Sequence, residues 1–466
     1  MPSPTTDPPA AATRRLASFL AGLEYGDLPL PVIERAKDLF CDWLGCALAV
    51  PNGRALLALK AFAARMGPAT GPCEVLALGE NTSPFFAALL NAAASHSAEQ
   101  DDIHRLAVLH TAVVVFPTAL AVAQEQGSSG RDFIVAVASG YEAGARVGMF
   151  LGPSHYRFFQ PTGTAGTVAA AVTAAKLLGA DESLMLHSIG SAGTQAAGLW
   201  QFLREAADSE QLHAAKAAGD GLIAAYAAAA GLRGAWGILE GAQGMGAAMS
   251  SAPDPTRLDA DLGGRWAVQE MSFKMQAGVR HTHPASDALA KVMADHALVG
   301  TDIRAVRAHV SRAAMDVLGA VQRPASVHQA MFSMGFTLAL LALRGGVGVN
   351  DFTAAALSDP VLEDFRRRVE MVVDADVDRA YPERWIGLVE VDTADGRHLV
   401  GRVDSTRGDP DRAPTRVELE QKALLLASHG GVVNAAQMRS LVDRVWRLES
   451  EPDLRELLAG APTSMG

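Results

Sequence analysis

Apolar residues recur at helical spacing through most of the first half of the chain. Over Val32–Ala49 they fall at Val32, Ala36, Leu39, Phe40, Trp43, Leu44 and Ala47, one face of a 3.6-residue repeat. Pro31 suits a first helical turn, and Pro51-Asn52-Gly53 stops the pattern. The same spacing predicts helices over Ala55–Arg65, Ser83–Ala98, Ala112–Gln126, Gly130–Leu151, Gly163–Leu178, Ser183–Leu199, Ala214–Ala230 and Gly234–Leu239. Gly127-Ser128-Ser129-Gly130 and Gly179-Ala180-Asp181 punctuate them, with Asp181 placed to cap the helix that follows. Gly166–Ala175 and Ala214–Ala230 are Ala-rich on all sides, so these helices are expected inside a bundle.

The pattern changes after about residue 268. Ala305–Val310 and Val369–Val373 are short and β-branched, and Ile386–Val391 and Arg397–Val403 flank a Gly-containing turn over Asp392–Gly396, a hairpin signal. Helical patterns at His283–His296, Val327–Leu343 and Asp351–Ala356 alternate with these strands. The tail, Val417–Leu448, returns to helical spacing and is expected to pack back on the first domain. The fold class is therefore mainly α. A large all-helical domain is expected over 14–268 and 408–460, built from both chain ends, with a smaller α+β domain over 269–407. Met1–Thr13 is rich in Pro, Thr and Ala and reads as a disordered arm rather than a signal peptide.

Composition narrows the partners. The formal net charge is −11, which argues against nucleic acid or an anionic membrane, since both need a basic surface. A small anion needs only a local basic pocket and stays allowed. No run of about 18 apolar residues occurs without polar breaks, so no membrane span is expected. The three cysteines, Cys41, Cys46 and Cys73, form no CxxC pair. Their odd count argues against a disulfide framework, and a reducing cytoplasm is the simplest location.

Candidate chemistry concentrates in four places. Three histidines and three carboxylates fall between His96 and His110: His96, Glu99, Asp101, Asp102, His104 and His110. By composition this stretch is either a solvated interhelical loop or an acid/base site, in which carboxylates set the tautomer and basicity of a histidine. Its spacing matches no metal-ligand signature. Second, in the stretch Tyr156–Gly166, which includes Gln160, residues Pro161, Thr162 and Gly163 open a helix, whose free N–H groups can meet an anion or simply be capped by Thr162. Third, Lys274–Pro284 contains Lys274, Arg280, His281 and His283 at the expected domain junction, a place that suits carboxylate binding or is a charged linker. Fourth, His213 and Lys216 open a buried Ala-rich helix, where a lone histidine is ordinarily a satisfied core residue.

An ordered set of motifs resembles the MmgE/PrpD family, which includes 2-methylcitrate dehydratase, cis-aconitate decarboxylase and iminodisuccinate epimerase. It runs from Phe40-Cys41-Asp42-Trp43-Leu44-Gly45-Cys46-Ala47 through Asn91, His96, Asp101-Asp102-x-His104 and His110. Gly140-Tyr141-Glu142, Pro161-Thr162-Gly163-Thr164-x-Gly166, Ser191-x-Gly193-Thr194-Gln195, Lys274, Thr282-His283-Pro284-Ala285 and Gly408-Asp409-Pro410 continue it. The resemblance implies a helical domain with an α+β lid, a site between them, a homodimer, and action on small carboxylates without metal or organic cofactor. It implies His110 as the base, with His104 and Asp102 in the catalytic group. Glu99, Gln160, Thr162, Lys216, Lys274, Arg280 and His283 would bind the substrate.

This chain departs from the family pattern at several points. Glu99 stands for the usual Asp, Gln160 for a histidine, Gly219 for a basic residue and Phe336 for a lid tyrosine. The expected activity is a dehydratase- or decarboxylase-type lyase that abstracts a proton α to a carboxylate or carbonyl. An epimerase of a small dicarboxylate is the first alternative, and a binding or assembly protein that has lost catalysis is the second.

Overall fold

A computed structural model of the chain describes residues 11–205 and 207–457. The arm expected over 1–13 lies largely outside the described residues, as do the last positions of the expected helical domain, 458–460. Ala11–Thr13 are not an arm. They open the helix Ala11–Gly22, which buries Leu16 and Leu20 and ties the Thr13 hydroxyl to Glu240 at 2.5 Å.

Two apolar cores organise the molecule. The larger joins helices from the first 273 residues to the C-terminal helices Arg416–Gly430 and Ala435–Trp446. The smaller is built from residues between Ala277 and Val391, with Phe202 and Leu203 reaching in from the helical side. The chain is thus mainly α, with one four-stranded sheet and two short two-stranded pairs among the described residues. No single helix among the described residues is long and apolar enough to cross a membrane.

Small residues set the helix spacing in the large core. In helix Pro161–Leu177 every residue from Pro161 to Ala175 is buried, and helix Ser209–Ala229 lies against it. A Cβ on Gly221 would sit 2.4 Å from the Ala170 Cβ and 2.7 Å from the Ala171 nitrogen, so only glycine permits this approach. The tail is locked differently. Lys422, in Arg416–Gly430, donates to Asp42 of helix Leu30–Ala49 and to the Gln100 carbonyl, both at 2.6 Å.

The small domain holds four strands, β1 (Ile303–Val310), β2 (Val369–Val373), β3 (Gly387–Thr393) and β4 (His398–Val403), in the order β2-β1-β3-β4. Only the β1–β2 pair is parallel, with Val306 opposite Val369. Gly387, Val389, Val391 and Thr393 alternate inward on β3, the period-two pattern of a half-buried strand. Helix His283–Asp295 covers that face.

Three departures from the periodicity shape the site. The helix expected over Ser183–Leu199 ends at Gly193. Beyond it the chain swings to bond the start of the preceding helix, with Gln160 N–H donating to the Gly198 carbonyl at 3.1 Å, which delivers Trp200. The helix expected over Val327–Leu343 is two, Val327–Ala330 and Met334–Arg344, because the Ser333 hydroxyl caps the second by accepting from Phe336 N–H; Phe332 lies in the break. Helix Gly130–Tyr156 outruns its expected end through a break at Gly152, φ 67°, which places Tyr156. Gly234–Leu239 is not a helix but a run of turns packed on Glu182–Gly193, where a Cβ on Gly234 would meet the His187 carbonyl oxygen at 2.3 Å.

Gly221→Ala is expected to destabilise the protein by about 1–3 kcal/mol through overpacking. A urea denaturation midpoint equal to that of the parent would contradict this packing.

Candidate active site

The stretch between His96 and His110 is not a solvated loop. His96, Glu99, Asp101, Asp102 and His104 are each at most 1% exposed. The segment leaves helix Pro84–His96 and enters helix Ala112–Gln126, and its polar groups are held from several sides. Asp102 accepts from Ala112 N–H at 2.9 Å, capping the second helix, and from the Tyr141 hydroxyl at 2.8 Å. The Glu99 carbonyl accepts from Gly278 N–H at 3.0 Å. Thr162 accepts from His110 N–H at 3.2 Å. Glu99 (φ 50°) and Val108 (φ 48°) both occupy the left-handed region, costly for residues with a Cβ and worst for a β-branched one. Both line the same cavity, so the strain lies where the chain is turned toward a binding site.

That cavity is a cleft between the domains, with about 360 Å³ of empty space that includes open solvent. Its polar lining is Glu99, His110, Gln160, Glu210, Arg280 and His281. Aromatic side chains of Tyr156 and Trp200 close it from the helical side, and Phe332 and Trp385 from the small domain.

His110 is oriented by its neighbours. Its Nδ1 lies 2.7 Å from an Asp101 carboxylate oxygen and 2.9 Å from the Asp102 carbonyl. Both neighbours only accept, so Nδ1 carries a proton, and in the neutral ring the lone pair is then on Nε2. Nε2 has no hydrogen-bonding partner among the described residues.

Below it lies a buried charge cluster. Lys274 Nζ is 3.3 Å from both Glu99 and Asp101 and fully buried. His96 Nδ1 is 3.3 Å from Asp101, and its Nε2 is 3.7 Å from Glu210. Burial opposes a charge on His96, but Asp101, Glu99 and Glu210 outweigh it and hold the imidazole up at about 9. Burial likewise opposes Asp101, but Lys274, His110 and His96 hold its carboxyl well below the usual range. From the small domain, His328 lies 3.1 Å from Glu210, which raises its pKa against the cost of burial.

The expected site residues divide clearly. His110, Glu99, Gln160 and Arg280 line the cavity. Asp102 does not; burial pushes its carboxyl up to about 8, and its role is to frame the loop. His104 pairs with Glu270 at 2.9 Å, on a two-residue strand beside Met271–Ser272, outside the cavity lining. Thr162 serves the backbone of His110 rather than a ligand. Lys216 is paired with Asp220 and the Gln195 carbonyl, so it does not stand in for a basic residue at Gly219, whose Cβ would face Phe85. Lys274 is spent on Glu99 and Asp101. The Arg280 guanidinium is spent on Asp409 at 2.6 Å and on carbonyls. His283, 3.3 Å from Arg280, is held well below the usual histidine range by burial and then by that cation. Phe336 belongs to the small core, not the cavity.

Sequence reasoning passed over Glu210, His328, Trp200, Phe332 and Trp385 as site residues, and gave Tyr156 no role although it opens the second candidate stretch. Each stands alone in an otherwise ordinary element, and only the fold gathers them. His96 and Asp101 were visible in the dense cluster. Gln160 is fixed in orientation, donating to Glu210 at 2.9 Å and accepting from His213 at 2.7 Å. His281 stacks on Trp385 at 4.8 Å and lies 3.1 Å from the Tyr156 hydroxyl; burial and then His110 hold it at about 3. Two donor sets have atoms in mutual reach of a metal ion, His96–Asp101–His110 and His96–Glu99–Glu210. The Lys274 ammonium lies against a carboxylate of each and competes with any cation there.

Comparison with known proteins places this arrangement in a family. Residues 14–258 match the MmgE/PrpD N-terminal domain and residues 277–448 the MmgE/PrpD C-terminal domain. The chain is 28% identical to the cis-aconitate decarboxylase-like protein oryM of Aspergillus oryzae, covering 97% of each chain. It is 26% identical to cis-aconitate decarboxylase of Aspergillus terreus, over 96% of this chain and 95% of the relative. It is also 26% identical to human cis-aconitate decarboxylase, over 96% and 94%. Both domain matches in order, together spanning most of the chain, show that this protein belongs to the MmgE/PrpD family.

Proposed function

We propose that this protein is a lyase of the dehydratase or decarboxylase type, in which His110 removes a proton α to a carbonyl or carboxylate. The observation that carries the reading is the Asp101–His110 pair at 2.7 Å, which leaves Nε2 unpartnered on a residue that lines the interdomain cavity. The relatives' names support the reaction type. In an elimination, the C–H electron pair becomes the new C=C bond as the proton passes to His110 Nε2. The leaving hydroxide takes a proton and departs as water. Tyr156 can give that proton: its hydroxyl is linked to His281, and burial keeps it protonated well above the usual range. The same pair of groups would epimerise a substrate with no β-leaving group, the second reading. Lys274 acts as an internal counter-ion that holds Asp101 against His110.

His110→Gln is expected to lower deuterium incorporation at the substrate α-carbon in D2O by about 10²-fold or more, the contribution of a positioned general base. Near-parent exchange in a folded variant would remove His110 from the role. Lys274→Met is expected to cost about 3–5 kcal/mol of stability by stranding two buried carboxylates, read as a lower denaturation midpoint. A raised KM with an unchanged midpoint would mean that Lys274 binds substrate instead. His96 is held at about 9 in the fold, above its unfolded value of about 6.5. Its stabilising contribution is therefore complete below pH 6.5 and lost as pH rises through about 9. The midpoint should fall over that window, and fall less in His96→Gln; identical profiles would refute a protonated His96.

A further inference from the structure

We infer that the cavity takes a carbon acid with at most one carboxylate and an apolar, flat or branched substituent, rather than a di- or tricarboxylate. This rests on the proton abstraction proposed for His110 and deepens it.

The first argument is charge. Three carboxylates, Glu99, Asp101 and Glu210, meet three cationic partners, Lys274, His96 and His328. The cluster is thereby self-neutralised, and the raised values of His96 and His328 agree with it. Arg280, the one permanent cation in the lining, is committed to Asp409. Lys216 and Lys422 are committed to Asp220 and Asp42. Within this lining no lysine or arginine is without a carboxylate partner among the described residues. Each further carboxylate brought in would lose its water without gaining a counter-ion.

The second argument is surface. Tyr156, Trp200, Phe332, Trp385, Val108 and Val279 form the rest of the lining, the mostly apolar wall of a site that grips by burial. The Trp200 ring N–H is occupied by the Phe159 carbonyl at 3.0 Å. The Trp385 Nε1–H and the Arg280 Nε–H are buried without an acceptor among the described residues, which leaves these two donors for a substrate's single carboxylate. The adjoining cavity shares His281 and Trp385 as a wall and includes Arg384. Arg384 has no carboxylate partner among the described residues, so it is the one place where a second anionic group could be held.

The test compares 3-hydroxy-3-phenylpropanoate with citrate and cis-aconitate, using calorimetric binding and deuterium exchange on the full chain. The phenyl acid has one carboxylate, an α-proton, a β-hydroxyl and an apolar ring. It should bind at least about tenfold more tightly than either tricarboxylate and exchange its α-proton. Glu99→Gln, which leaves the cluster one positive charge in excess, should tighten citrate binding by about fivefold or more. Citrate or cis-aconitate binding as tightly as the phenyl acid to the parent protein would overturn the inference. Loss of that binding in Arg384→Ala would then assign the polyanion to the adjoining cavity. The two readings fail separately. Tricarboxylate exchange that disappears in His110→Gln keeps the base and sinks the substrate class. Phenyl-acid exchange that survives His110→Gln does the reverse.

Discussion

Lys274 carries its ammonium group into a place without water, 3.3 Å from both Glu99 and Asp101. Nearly everything distinctive about the site follows from that contact. Burial opposes the charge, and the two carboxylates more than compensate, so the lysine stays protonated. Its field in turn holds Asp101 ionised beside His110, whose Nδ1 proton is fixed by the Asp102 carbonyl. The base proposed at His110 would thus depend on a lysine outside the cavity lining. Removing one partner from such a group leaves an uncompensated buried charge, which costs far more than the pair contributes. The cluster therefore behaves as a unit.

The same contact ties the domains together. Lys274 lies where the chain leaves the helical core for the small sheet domain, and Gly278, four residues on, donates to the Glu99 carbonyl. His328 completes the closure from the small domain by meeting Glu210. Any change in how the domains sit would disturb the ion pairs and the cavity walls at once. Family membership explains the scaffold, while charge balance sets what the cavity accepts. Lys274, which the sequence alone offers as a carboxylate binder, is turned inward to Glu99 and Asp101.

Much of the fold was legible in the sequence because its signals are local. Ala112–Gln126 and Val369–Val373 start and stop where their periodicity does, and Asp181 caps its helix by accepting from Leu184 N–H. What misled was tertiary. Ser183–Leu199 and Val327–Leu343 keep helical spacing past their real ends, because loop contacts and the Ser333 cap override propensity. At the site, the density of acids and histidines marked His96–His110, but composition could not tell a buried loop from a solvated one. The cations were the hardest to read. Lys216, Lys274 and Arg280 look alike as free charges in a sequence, and only the positions of Asp220, Glu99, Asp101 and Asp409 reveal that each is already occupied.

The protonation pattern at the site is a doubly protonated His96 beside a His110 that carries a proton on Nδ1. Nitrogen-15 NMR of histidine-labelled protein at pH 7.5 reads it directly, with His96→Gln and His110→Gln assigning the signals. The account requires both His96 nitrogens to carry protons, and His110 to show a protonated Nδ1. A proton on His110 Nε2 with a bare Nδ1, or a neutral His96, would contradict it.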